Sequence, residues 1–134
     1  MTKIEKVIEV ACAIIIKNKK ILVTQRSEEM ALPLKWEFPG GKVEVDETPK
    51  ACLKREIKEE LNIEINILEK LKNNTHNYES FSIKLIPYIA TIQSGEIKLS
   101  EHKTYRFVKT GDLLNLDWAE ADLPIVQQLL NKEL

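Results

Sequence analysis

Hydrophobic and polar positions along the chain fall into blocks whose period changes twice. Residues 8–17 are almost continuously apolar and rich in β-branched side chains, and residues 20–26 (KILVTQR) alternate. This pattern predicts a buried strand with an antiparallel partner, joined through a hairpin turn at Asn18-Lys19. Residues 27–35 (SEEMALPLK) lose the alternation, and Pro33 argues for a loop. The period then becomes helical: Leu53, Ile57 and Leu61 recur every four residues as an apolar stripe. Pro49 suits the first turn behind Thr48 as N-cap, and Asn62 suits a left-handed C-cap. Segments 63–75 and 81–93 read as strands, the second interrupted by Pro87, which predicts a bulge or a sheet edge. A turn at Ser94-Gly95, a strand over Tyr105–Val108, a helical piece beginning at Thr110-Gly111-Asp112 and a terminal helix over Asp122–Lys132 complete the chain. With no internal repeat, low-complexity tract or linker, the expectation is one mixed α/β domain over residues 1–134.

Length and charge narrow the partners. A chain of 134 residues holds one real core and is too short for two. Its 20 basic and 21 acidic residues leave a net charge of −1, which favours neither a nucleic-acid polymer nor an anionic membrane. The longest apolar run, Val10 to Ile16, falls far short of the roughly 20 residues that span a bilayer. The start, MTKIEKVIEV, carries charges where a secretion signal needs an apolar core. Cys12 and Cys52 lack metal-ligand spacing, so a reduced, cytoplasmic protein is expected, without disulfide or zinc site. The strand at 8–17 belongs in a core or at an interface, which leaves both monomer and homodimer open.

The chemistry concentrates in GGKVEVDETPKACLKREIKEELNI, residues 40–63. At about 100° per residue, Glu56, Glu59 and Glu60 share a sector roughly 100° wide beside the apolar stripe. Glu56 and Glu60 form a like-charge i,i+4 pair, and all three lie toward the end of the helix where its dipole prefers cations. Three carboxylates placed against both preferences call for a compensating charge, and a hard divalent cation, Mg²⁺ or Mn²⁺, suits oxygen donors. The alternative is a solvated acidic face balanced by Lys54 and Lys58. Gly40-Gly41 weighs against that alternative, because paired glycines let backbone approach closely and expose a carbonyl as a further ligand. Cys52 is small, as a site where a loop packs over the helix requires.

These residues resemble a known family. Gly41, five residues, Glu47, seven residues, then Arg55-Glu56-Ile57-Lys58-Glu59-Glu60-Leu61-Asn62-Ile63 match the Nudix box, GX5EX7REUXEEXGU with U apolar. The single departure is Asn62 in place of Gly, and Asn is the next-best residue for a left-handed cap. The preceding WEFPGGKVE is similar to the MutT-like branch. The resemblance implies an αβα sandwich with a mixed sheet, and hydrolysis of a nucleoside diphosphate linked to another group. It implies Mg²⁺ (or Mn²⁺) held by Glu56, Glu59, Glu60 and the Gly41 carbonyl, with Arg55 and Glu47 supporting the carboxylates. Glu101, in SEHKTYRFV, matches a loop carboxylate that adds to the metal site in MutT-like enzymes, with Glu96 as competitor and a surface glutamate as the plainer alternative. One carboxylate must take a proton from the attacking water. Glu56 is the first candidate, with Glu59 and Glu101 behind it. His76 and His102 have no ligand spacing to each other and are not expected to bind metal.

For the nucleoside, Arg26 matches a substrate-contacting arginine and Phe38 an aromatic of the base pocket; a surface cation and a core aromatic are the plainer readings. Asp122 stands where MutT has an Asn that reads the base of 8-oxo-dGTP. An ionised carboxylate only accepts hydrogen bonds, favouring an exocyclic amino group of cytosine or adenine, whereas a protonated one imitates Asn. The terminus also looks similar to the CTP pyrophosphohydrolase subgroup, while Asp122 is equally placed to cap the terminal helix. The expected activity is therefore pyrophosphohydrolysis of a (d)NTP, 8-oxo-dGTP or (d)CTP-type, to NMP and pyrophosphate in nucleotide-pool sanitation. Hydrolysis of another nucleoside diphosphate derivative is an alternative that the short chain disfavours. A nucleotide-sensing module without turnover is a second, disfavoured by the intact Glu56, Glu59 and Glu60.

Overall fold

Strand β1 (Lys6–Lys17) is the spine of the sheet in the computed structural model, which describes residues 6–132. Met1–Glu5, part of the stretch that argued against a secretion signal, and Glu133–Leu134 lie outside the described residues. The near-continuous apolarity of β1 follows from its burial on both faces. Ala11, Ala13 and Ile15 pack on helix α1 (Pro49–Leu61), and Cys12 and Ile14 pack on the side of helix α2 (Leu123–Leu130). Two alanines opposite α1 let that helix approach closely. Two cores thus lie on either face of one mixed sheet, giving the expected αβα layering.

Strand β2 (Lys20–Gln25) returns antiparallel to β1, through Asn18 and Lys19 at φ 52° and 63°. Two consecutive left-handed residues give the turn whose twist matches paired strands. The β1–β2 pairing covers only Ile16↔Ile21 and Lys17↔Lys20, after which the strands splay. The segment after the loop fills the gap: β3 (Trp36–Glu37) pairs with β2, and β4 (Gly40–Lys42) pairs with β1. Residues 36–42 therefore cross between the diverging strands, bringing Glu37 near Glu60 and Gly41 against Glu56 of α1 while Phe38 packs on the α2 side.

The segment expected as one strand over 63–75 is two, β5 (Ile63–Lys70) and β6 (Asn74–Asn77). Both pair antiparallel with the long β7 (Phe81–Gly95), which also runs parallel to β1. Pro87 is accordingly not at a sheet edge. It faces Cys12 inside the sheet, where the partner of β7 changes from β6 to β5. Its carbonyl accepts from Leu71 N–H, and in an extended strand the missing N–H would point to that same side, into the break between β5 and β6. The register irregularities lie on β5, between Glu64 and Ile65 and between Ile67 and Glu69. Ser94-Gly95 is not a turn, since β7 runs through Gly95, which takes φ 96° and pairs with Ile63. Strand β8 (Thr104–Val108) extends the sheet beyond β2, and a 3-10 turn follows at Thr110–Asn115. A second, Glu120–Asp122, leads into α2, which is shorter than the helix expected over 122–132.

Both α1 caps form as the sequence requires. Thr48 Oγ1 accepts from Ala51 N–H, and Asn62 sits at φ 61°, ψ 29° with its N–H on the Lys58 carbonyl. A Cβ at that φ costs roughly 1–2 kcal/mol, which Asn offsets with local polar contacts; its Nδ2 donates to the Glu96 carbonyl. Asn62→Gly is expected to leave stability nearly unchanged and Asn62→Ala to lose about 1 kcal/mol. Chemical denaturation of the two variants measures the difference.

Candidate active site

Position on α1 decides which carboxylates reach the interior. Cys52, Leu53, Ile57 and Leu61 are buried against the sheet, and this anchors the adjoining face with Glu56, Glu59 and Glu60. All three line one cavity of about 630 Å³, together with Gly40, Gly41 and Glu101. Arg26, Phe38 and Asp122 line the same cavity. The expected metal-side and nucleoside-side residues thus share one space. Glu96 does not line it; its carbonyl is occupied by Asn62.

Gly41 and Gly40 are glycines for different reasons. A Cβ on Gly41 would lie 2.3 to 2.6 Å from the Glu56 carboxyl atoms, so the missing side chain is the space Glu56 occupies. A Cβ on Gly40 would lie 1.9 Å from the backbone oxygen of Ala11, which cannot move without breaking the β1–β4 pairing. Gly41→Ala is therefore expected to fold with a nearly unchanged melting temperature while displacing Glu56. Its kcat should fall about 100-fold, the usual cost of misplacing a catalytic group by about 1 Å. Gly40→Ala should instead lower the melting temperature. Thermal denaturation and initial rates of the two variants separate these effects.

Arg55 and Glu47 stand outside the cavity wall and hold it from behind. The guanidinium grips Glu47 with two bonds of 2.9 Å, and its Nη1 donates to Glu56 at 2.9 Å and to Glu59 at 3.4 Å. The Arg55 bonds, helped by the Glu44 N–H, hold Glu47 down at about 2, and the carboxylates push Arg55 up. Burial first, then Glu47, raises Cys52 to about 12, so this thiol stays neutral beneath the loop, donating to the Gly41 and Lys42 carbonyls.

Glu60 has the most strained electrostatics. Burial, then the charges of Glu37, Glu56 and Glu101, push its carboxyl up to about 9. Its Oε2 is buried without a hydrogen-bond partner, as is Nδ1 of His102. Among the described residues, no three acidic, imidazole or thiol groups already converge as a closed metal cluster. The donor set nevertheless fits a hard cation. It offers oxygen ligands, one orphaned buried carboxylate atom, and more acidic side chains than the cations Arg26 and Lys42 that share the cavity.

Backbone bonds carry the remaining acid to this point. Ser100 N–H and Lys98 N–H donate to the Glu60 and Leu61 carbonyls, satisfying helix-end acceptors and folding the 96–103 loop over the end of α1. Glu101 thereby enters the cavity wall, and His102 is buried beside Glu60.

On the nucleoside side, Trp36 N–H bonds the Asp117 carbonyl and Ala119 N–H bonds the Trp36 carbonyl. This stitches the 117–122 segment to β3, with Phe38 against Trp118 at 4.7 Å between ring centroids. Asp122 is not the cap of α2. Its carboxylate makes no bond to the helix N-terminus and instead accepts from Phe38 N–H at 2.9 Å. Burial, then Glu37, raise it to about 8, against the opposing pull of Phe38 N–H and Arg26. At neutral pH Asp122 is thus mostly a neutral acid, donor and acceptor at once.

Two residues at the site were given no role there by the sequence, Glu37 and His102. Glu37 accepts from Arg26 Nη1 at 2.7 Å and lies 2.9 Å from His102 Nε2. The available signal was alternation: between buried Trp36 and Phe38, an extended Glu37 must face the other way, into whatever opens there. For His102 the signal was the Glu101-His102 pair of the family resemblance, since ligand spacing says nothing about a ring lying between two carboxylates.

A mixed sheet between two helical layers, with an Arg-braced row of helix carboxylates under a glycine loop, defines a Nudix hydrolase. A NUDIX domain matches residues 6–129, and the chain belongs to this family. It is 33% identical to the CTP pyrophosphohydrolase of Escherichia coli (strain K12), covering 93% of each chain. It is 32% identical to the 8-oxo-dGTP diphosphatase of Buchnera aphidicola subsp. Schizaphis graminum, covering 92% of this chain and 94% of that one. Among solved structures, the MutT protein from methicillin-resistant Staphylococcus aureus 252 aligns with TM-score 0.79 and 42% identity, over 97% of this chain and all of the other (100%). No helix among the described residues is long and apolar enough to cross a membrane.

Proposed function

We propose that the protein is a Mg²⁺-dependent nucleoside triphosphate pyrophosphohydrolase. Its substrate is an 8-oxo-dGTP or (d)CTP-type nucleotide, cleaved to NMP and pyrophosphate in a cytoplasmic pool-cleaning role. The observation that carries this reading is the shared cavity, with helix carboxylates and Gly41 beside an aromatic-backed buried acid. Relatives named for CTP and for 8-oxo-dGTP support the reaction class and leave the base open.

Glu56, Glu59, Glu60 and Glu101, with the Gly41 carbonyl, would hold Mg²⁺ or Mn²⁺. When bound, the metal supplies charge neutralisation for the triphosphate and acidifies a coordinated water. Arg55 keeps Glu56 and Glu59 in place and is itself anchored by Glu47. Glu56, pressed against Gly41, is the carboxylate we assign to take the proton from the attacking water.

Asp122 supplies the base-reading logic. A neutral acid reads a base edge carrying one donor and one acceptor side by side. Cytosine offers N4–H₂ and N3 on its pairing edge; on the Hoogsteen edge 8-oxo-guanine offers N7–H and O6, where unmodified guanine offers two acceptors at N7 and O6. On the Hoogsteen edge of the purine, this distinction favours oxidised guanine over dGTP, with cytosine matched through its pairing edge. Pyrophosphate release from CTP, dCTP, 5-methyl-dCTP, 8-oxo-dGTP, dGTP and nucleotide sugars, with and without Mg²⁺, tests the proposal. Turnover of CTP-type or 8-oxo-dGTP substrates only with the metal is expected. Metal-independent hydrolysis, or a preference for dGTP or nucleotide sugars, would overturn it.

A further inference from the structure

The two buried atoms without partners, Glu60 Oε2 and His102 Nδ1, face each other at 3.7 Å. On the far side of the ring, Nε2 meets Glu37 Oε2 at 2.9 Å, and the other oxygen of Glu37 holds Arg26 at 2.7 Å. The imidazole, only 3% exposed, thus lies between a carboxylate of α1 and a carboxylate of β3. We propose that His102 is a positioning residue that fixes Glu60 and Glu37 relative to each other, aligning the metal-binding helix with the Arg26 side of the cavity.

The ring's own placement is independent of these side-chain contacts. Ser100 N–H on the Glu60 carbonyl and Lys103 N–H on the Gln25 carbonyl pin the loop by backbone on both sides of residue 102. The backbone therefore presents the ring, and the ring presents the carboxylates. Glu37 and Glu60 carry like charge when both are ionised and would turn apart, and a polar ring between them, bonded to Glu37 at 2.9 Å and 3.7 Å from Glu60, sets their separation. Apolar bulk at this position would fill the space but leave Glu37 Oε2 without its buried partner. Carboxylates that serve as ligands depend on such outer contacts, whose loss commonly costs about 10–100-fold in metal affinity.

This inference rests on the metal-dependent reading above, and the test separates the two. Mn²⁺ binding to nucleotide-free protein is measured by electron paramagnetic resonance for wild type, His102→Leu, His102→Asn and His102→Gln, with thermal denaturation of each. Wild-type protein that binds no Mn²⁺ would overturn the metal reading and this inference with it. With wild-type binding established, folded His102→Leu should bind Mn²⁺ about 10-fold or more weakly. His102→Gln, which keeps a donor toward Glu37, should stay within about threefold of wild type. A folded Leu variant with wild-type affinity, or a Gln variant as weak as Leu, would overturn the positioning role alone. If His102→Leu does not fold, His102→Asn, too short to span both carboxylates, is judged by the same affinity criterion as Leu.

Discussion

Glu60→Gln is expected to lower kcat by about 1,000-fold or more while leaving the fold intact, within the range that loss of a positioned acid–base or metal-side carboxylate produces. Glutamine keeps the shape of Glu60 and removes its charge. In the metal-free protein that charge is a burden: burial, then Glu37, Glu56 and Glu101, already raise the carboxyl to about 9. The metal-free variant should therefore melt no lower than wild type at neutral pH. What it loses is the ability to become an anion when a cation arrives. Mn²⁺ affinity should fall together with kcat, and added Mg²⁺ should recover little of the rate. Full activity in a folded Glu60→Gln variant would remove Glu60 from the metal site and the mechanism.

Asp122→Asn should change how stability depends on pH. The folded-state pKa of Asp122 is raised from 3.8 to about 8, so between about pH 4 and pH 8 the native protein holds a proton that the unfolded chain has released. Raising pH through that window favours the unfolded chain, and wild-type stability falls by up to about 1.4 kcal/mol per pH unit from this group. The sum across the window is of the order of a few kcal/mol. Asparagine has no proton to lose and its carbonyl still accepts from Phe38 N–H, the bond at 2.9 Å in the native protein. The two proteins should be nearly equal in stability near pH 4. At pH 8 to 9 the Asn variant should be more stable by a few kcal/mol. Denaturant titrations at several pH values give the comparison, and parallel profiles would show that Asp122 is ionised in the native state. Selectivity provides a second readout: above pH 8 the ionised Asp122 should shift wild type toward bases that present an exocyclic amino group, while the Asn variant keeps its selectivity unchanged.

The helix and its chemistry were legible because their determinants are local. The Thr48 side chain and the Asn62 N–H bond within four residues of themselves and Pro49 suits the first turn, so both ends of α1 form where expected. The spacing from Gly41 through Glu47 to Arg55 works because the turn and the helix fix where each side chain points. Strand assignments failed where the outcome depended on partners. Pro87 reads as a bulge or edge residue by itself, yet it sits inside the sheet because β5 and β6 end on either side of it. Asp122 reads as a cap because it precedes a helix. It is drawn away because β3, more than 80 residues earlier, offers it the Phe38 N–H at |i−j| = 84.

By itself, then, the sequence determined the family, the reaction type, the braced carboxylate helix and the apolar spine of β1. Local periodicity and short-range capping carry the helix and the spine, and the Gly41-to-Ile63 motif, by its resemblance to the family, carries the rest. Only the tertiary structure decided which groups meet across the splayed β1 and β2. It placed Glu37 between Arg26 and His102, set His102 against Glu60, and buried the Asp122 carboxyl, which pushes it up to about 8. Those outcomes depend on burial and on charges brought together from distant segments, and neither is a property of any short stretch of chain.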